Sequence, residues 1–270
     1  MIENIHIAPD ASAAGKAVAE EIAQLVKDNP CAVLGLATGS TPVPVYRALI
    51  DIHLEGLSFR NVTCFNLDEY YPMQPDSEHS YHRFMQREFF DYIDCVNWHV
   101  PDGTRADSAT LDKRCAAYEA AIEKAGGIDY QLLGIGPNGH IGFNEPGSAV
   151  DSRTRLVELA PETRRAAADG FGGLGNVPLQ AITMGLGTIL KARKVVLMAT
   201  GSAKADIIAW ALTQAPTIHV PATLLQRHPN FTCHLDQAAA AKLPSPGGLA
   251  SLSGLQRGGN TRGVALNTPP

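Results

Sequence analysis

The sequence predicts an open α/β sheet, mostly parallel, with helices on both faces, on three observations. Short, nearly all-apolar runs recur along the chain, helical stretches alternate with them, and each run ends in a polar turn, most of them carrying glycine. Apolar runs bounded by turn signals suit strands buried on both faces. Their alternation with helices is the pattern of parallel strands joined by right-handed crossovers. In such a sheet the reactive side chains gather beyond the carboxyl ends of the strands.

The elements follow in order. Residues 11–28 carry Val18, Ile22, Leu25 and Val26 at helical spacing, and Pro30 stops the helix. Residues 32–37 (AVLGLA) read as a buried strand. It runs into Thr38, Gly39, Ser40, Thr41 and Pro42, then a helix through Val45, Leu49 and Ile52. Pro42 suits a first helical turn, where its missing N–H removes no hydrogen bond. A second strand spans residues 62–67 and ends at Asp68-Glu69-Tyr70. A second long helix covers residues 107–125 and is closed by Gly126-Gly127. A third strand, 130–135, leads into Gly136-Pro137-Asn138-Gly139-His140. A fourth, 195–199, precedes Gly201-Ser202 and a helix over 203–212. From Pro244 the composition turns to Gly, Pro and Ser without periodicity, which predicts a domain over 1–243 and a disordered tail over 244–270.

Composition narrows the function classes. The chain is 45% hydrophobic and 18% charged, enough apolar mass for a sizeable core. A net charge of −5 supplies no basic excess for nucleic acid, yet leaves room for a local anion pocket. The five cysteines form no CxxC pair and read as reduced thiols. No apolar stretch reaches membrane-spanning length and no signal peptide opens the chain, so the expectation is a soluble cytoplasmic protein.

Four groups of residues can carry chemistry. Ala37 and the turn Thr38-Gly39-Ser40-Thr41 offer backbone N–H groups and hydroxyls at a helix N-terminus, a place suited to phosphate. The same hydroxyls equally suit a plain helix cap. Lys204, read as one residue into its helix, opposes the helix dipole, a conflict that a bound phosphate resolves, or it is a plain solvated lysine. Asp68, read as the end of an apolar strand, is a candidate base for a proton next to a carbonyl, or a structural aspartate. The loop over 136–147 (GPNGHIGFNEPG) presents Asn138, His140 and Glu145, a histidine with a carboxylate nearby that suits a proton relay. His79 and His82, spaced H-x-x-H beside Glu78, lack a third ligand in register and read as a solvated or substrate-facing helix start.

Together these stretches resemble the glucosamine-6-phosphate deaminase family, from about residue 10 to 240. The resemblance rests on LGLATGSTPVPVY (34–46), FNLDEYY (65–71), LLGIGPNGHIGFNEPGS (132–148), SRTR (152–155), ITMGLGTIL (182–190) and ATGSAKA (199–205). It implies conversion of glucosamine 6-phosphate to fructose 6-phosphate and ammonia, without cofactor or metal. Asp68 would move the C2 proton. His140, supported by Glu145 and Asn138, would open the sugar ring. Residues 37–41 and Lys204 would hold the phosphate. The partner implied is a small phosphosugar, with no nucleic acid and no membrane, and a homo-oligomer is compatible because the family includes monomers, trimers and hexamers.

Three positions depart from the family pattern. Asn138 stands where many members have Asp. The lid stretch Ala168-Asp169-Gly170-Phe171 lacks an arginine that many members carry, a feature shared with galactosamine-6-phosphate enzymes. Val157 replaces a lysine found in allosterically activated hexamers. The alternatives are a galactosamine-6-phosphate deaminase/isomerase, a 6-phosphogluconolactonase, and a phosphosugar-sensing module. The last needs a DNA-binding segment for which the residues before the first helix leave no room.

Overall fold

The computed structural model describes residues 4–244. The predicted tail, Pro244 apart, lies outside the described residues.

Seven parallel strands form the main sheet, in the order β1-β10-β9-β6-β2-β3-β5. They are β1 (Ile5–Ala8), β2 (Val33–Leu36), β3 (Thr63–Asn66), β5 (Asn97–His99), β6 (Tyr130–Leu133), β9 (Lys194–Ala199) and β10 (Phe231–Asp236). A second sheet, antiparallel and ordered β4-β8-β7, is built from β4 (Asp68–Tyr71), β7 (Arg155–Glu158) and β8 (Gln180–Thr183). The helices are α1 (Ala11–Asp28), α2 (Val43–Leu54), α3 (Tyr81–Glu88), α4 (Ser108–Lys124), α5 (Pro161–Ala167), α6 (Leu186–Ile189) and α7 (Ala205–Thr213). No described helix is long and apolar enough to cross a membrane.

Strand periodicity divides the core in two. On β9, Val195, Leu197 and Ala199 join Ile207, Ile208 and Ile189 on one face. Val196 and Met198 join Val18, Ile22 and Leu49 on the other. Alternate side chains point to opposite faces, so apolar residues at every position require helices on both sides.

The helix ends agree with the sequence. Asp10 caps α1 by accepting from the Ala13 N–H at 2.8 Å, and Asp107 caps α4 through Thr110 at 2.9 Å. Along α1, Glu21 ties the helix to the sheet through Lys194 (2.7 Å) and His234 (3.1 Å). Burial opposes its ionisation, but these two partners hold its carboxyl down at about 2. Gly15 allows α1 to meet α2 closely, since a Cβ there would lie 2.5 Å from Pro44 Cβ and 2.8 Å from the Pro44 carbonyl carbon.

Two local readings are corrected. Asp68 does not end the second strand: β3 stops at Asn66, the chain bends at Leu67, and Asp68 opens β4 in the other sheet. Lys204 does not lie inside its helix: a single tight turn covers Ser202–Lys204, and α7 begins at Ala205.

Candidate active site

Beyond the carboxyl ends of β2, β3 and β6, where the two sheets meet, lies an open cavity of about 370 Å³. It collects Ala37, Thr38, Gly39, Ser40, Thr41, Asp68, His140 and Lys204, together with Tyr70, Tyr81, Phe143 and Thr163. Asn138 and Glu145 stand behind His140, which brings the expected residues into one constellation.

The turn after β2 is shaped by Gly39, whose φ of 93° belongs to the region glycine alone enters freely. Buried Tyr46, on α2, donates its hydroxyl to the Ala37 carbonyl and fixes the start of the turn. No side chain caps α2, so the hydroxyls of Thr38, Ser40 and Thr41 are not spent as the plain helix cap would require. Across the cavity the Lys204 ammonium donates to the Ile135 carbonyl at 2.7 Å, which anchors it over the end of β6. Burial pulls its pKa below the usual lysine range, the behaviour of a cation short of counter-charge.

Asp68 is 5% exposed and accepts no side-chain or backbone hydrogen bond among the described residues. Burial first, and the neighbouring Glu69 charge second, push its carboxyl up to about 8. Glu69 points the other way and accepts from the backbone N–H groups of Tyr70, Tyr81 and His82, each at 2.9 Å. Two of those donors belong to the first turn of α3, so Glu69 fastens β4 to that helix. Burial nevertheless raises Glu69 to about 7 against its three donors. Adjacent residues on a strand face opposite ways, and so Asp68 is left facing the cavity.

The histidine loop is held by a closed network. His140 Nδ1 lies 2.8 Å from Asn138 Oδ1, 3.2 Å from Thr163 Oγ1 and 3.4 Å from Glu145 Oε2. Asn138 donates its amide to Glu145 at 2.8 Å, and Thr163 donates its hydroxyl to Glu145 at 2.5 Å. The Ala160 N–H adds a bond at 3.1 Å. Burial works against the Glu145 charge, but His140, Thr163 and Asn138 together hold its carboxyl at about 2. Acceptors crowd around Nδ1, which places the ring proton there and leaves Nε2 with its lone pair. The ring lies directly over Gly136, where any Cβ would overlap it. Gly142, at φ 57°, keeps the loop close to Asp68, since a Cβ there would lie 3.4 Å from Asp68 Oδ2 and 3.0 Å from Thr183 Oγ1. Asn144 secures the loop from below, donating to Ile141 and Met184 carbonyls and accepting from Arg155 at 2.9 Å.

Sequence reasoning missed Thr163, which sits on α5 and completes the network 18 positions after Glu145. The segment after α5 brings Phe171 edge-on to Tyr70 and flat against His79, with centroids 4.6 Å apart in the latter pair. His82 instead packs against Trp98 at 4.7 Å, so His79 and His82 serve aromatic contacts and face different neighbours.

Residues 9–233 match the profile of the family described as glucosamine-6-phosphate isomerases/6-phosphogluconolactonase. The chain belongs to that family. Within it, this chain is similar to a glucosamine-6-phosphate deaminase of Thermoanaerobacter pseudethanolicus, 47% identical over 85% of this chain and 90% of the relative. It is likewise similar to one of Bacillus velezensis, 49% identical over 81% and 91%. Among solved structures, a monomeric glucosamine-6-phosphate deaminase superposes with a TM-score of 0.85 at 40% identity, covering 88% of this chain and 99% of that one. A 6-phosphogluconolactonase from Trypanosoma brucei shares the fold, with a TM-score of 0.73 at 21% identity over 89% and 98%. The family's mostly parallel sheet with helices on both faces is the fold that the sequence predicts.

Proposed function

We propose that this chain is an enzyme that converts glucosamine 6-phosphate and water to fructose 6-phosphate and ammonia. The observation that carries the reading is the meeting, in one cavity, of an unpartnered buried carboxyl, a histidine relay and an anion-binding turn opposite a lysine.

The phosphate lies against residues 37–41 and Lys204, at the uncapped end of α2. His140 Nε2 takes the proton of the C1 hydroxyl and returns it to the ring oxygen, which opens the pyranose to the aldehyde. Asn138, Glu145 and Thr163 keep Nδ1 protonated and stabilise the imidazolium that forms. Asp68 removes the C2 proton to give an enolamine and delivers a proton to C1. The resulting C2 imine adds water and expels ammonia. A carboxylate raised toward 8 is a stronger base than an ordinary aspartate and still returns its proton readily.

All the residues assigned roles here come from one chain, and a relative with the same fold is a monomeric glucosamine-6-phosphate deaminase, which supports a reading that needs no second copy. The test is ammonia release from glucosamine and galactosamine 6-phosphates under the same conditions. Preference for the glucosamine epimer is expected. Preference for galactosamine reassigns the substrate, and no ammonia from either overturns the reading.

A further inference from the structure

A second cluster of polar side chains lies away from the active-site cavity, on the α1 side of the sheet edge. His6 of edge strand β1 and His234 of β10 occupy paired positions in a parallel ladder, and their rings stack with centroids 4.8 Å apart. Glu21 of α1 reaches down to them, with Oε1 3.1 Å from His234 Nε2. One donor atom from each of the three lies within 4.8 Å of the others, and among the described residues no other such trio occurs. None of the three lines the active-site cavity.

We propose that His6, Glu21 and His234 bind one divalent transition metal of the Zn²⁺ class. Two imidazoles and a carboxylate form a donor set that zinc accepts in a tetrahedral site, with water in the fourth position. Calcium and magnesium want six or more oxygens and are poorly served by it. The fourth position faces solvent, because His6 is exposed while His234 is buried. Glu21 is already oriented. Its Oε2 accepts from Lys194 at 2.7 Å and from the Tyr130 hydroxyl at 3.0 Å, which leaves Oε1 turned to the histidines. Such outer contacts orient a metal ligand. The Lys194 ammonium repels any cation placed there, so only a metal that bonds strongly to imidazole is held. On binding, His234 offers the Nε2 lone pair to the metal and carries its ring proton on Nδ1. The metal would pin the four-residue edge strand β1 to β10 and α1.

The test uses the full chain, stripped with a chelator and then titrated with Zn²⁺ and with Co²⁺. One equivalent per chain is expected, with cobalt ligand-field bands in the visible and no thiolate charge-transfer band. The melting temperature should climb with free Zn²⁺, as linkage requires. His6→Ala changes an exposed side chain and should melt like the parent in chelator, yet bind Zn²⁺ at least tenfold more weakly. Glu21→Gln should weaken it comparably. Parent-like affinity in His6→Ala, a thiolate band with Co²⁺, or no stoichiometric binding would each overturn the site.

Discussion

Burial, with the Glu69 charge beside it, holds the Asp68 carboxyl near 8, no group among the described residues donates to it, and the same isolation that suits a base weakens the fold around it. Asp68→Asn removes the titrating group with little change of shape. Turnover should fall by about 10²–10⁴-fold, while phosphosugar binding persists. At pH 8 the variant should also melt above the parent, because no charge has to be buried, with about 2–4 °C expected for each kcal/mol gained. Wild-type exchange of the C2 proton with solvent in this variant would remove Asp68 from its role. Thr163 acts through other residues: its hydroxyl donates a hydrogen bond to Glu145 and faces His140 Nδ1. Thr163→Val leaves a buried carboxylate oxygen short of a donor, and we expect kcat to drop about tenfold or more with KM little changed. Thr163→Ser should restore the rate, since it keeps the hydroxyl. Equal losses in both variants would mean that the methyl group matters and the proton does not.

At the level of elements, β2, β3, β6 and β9 were legible because helices cover both their faces and each lies in a mostly apolar run. The strands that were missed fail this test. The charged sequences of β4 (DEYY) and β7 (RLVE) carry no apolar run, and only their mutual pairing through β8 makes them a sheet. In β10, Thr232, His234 and Asp236 interrupt the apolar pattern, yet all are buried; Glu21 satisfies His234, and the Gly201 and Ala239 N–H groups satisfy Asp236. The loop of Asn138, His140 and Glu145 was legible because its residues are near neighbours in the chain. Thr163 was not, because folding alone brings α5 to it. Packing between elements also positions the site. The Gly15–Pro44 approach sets where α2 starts, and α2 follows directly from the turn of residues 37–41. Gly15→Ala gains about 1 kcal/mol of helix propensity. Its methyl collides with backbone, and such overpacking costs about 1–3 kcal/mol. The balance should be a lower melting temperature and a raised KM for the phosphosugar, with kcat closer to the parent. An unchanged KM alongside a lowered melting temperature would show that the turn does not follow α2.

For the whole molecule, the shifted groups oppose one another across the pH range. Glu21 and Glu145, held at about 2, add stability that is complete above the ordinary carboxylate range and is lost as pH falls toward 2. Asp68 and Glu69, raised to about 8 and 7, have the opposite sign: the native state keeps protons that the unfolded chain has released. Their contribution is full below about pH 4 and drains away as pH rises to 8. His82 and His99 partly mask that loss. Burial lowers both, so the unfolded chain binds their protons more readily, and stability from this source grows up to the ordinary histidine range near 6.5. About one unit above 6.5 the histidines are neutral in both states, while the raised pair still titrates toward 8. The melting temperature should therefore fall between pH 6.5 and 8, over the same interval in which kcat/KM rises as Asp68 ionises. Calorimetry across that interval checks the first trend and initial rates check the second. Asp68→Asn should flatten most of the melting-temperature slope and Glu69→Gln the remainder. In Glu69→Gln the rise in kcat/KM should also move to lower pH, because the charge that helps to raise Asp68 is gone. A slope that survives both substitutions would place the proton linkage on other groups and free Asp68 from its raised pKa.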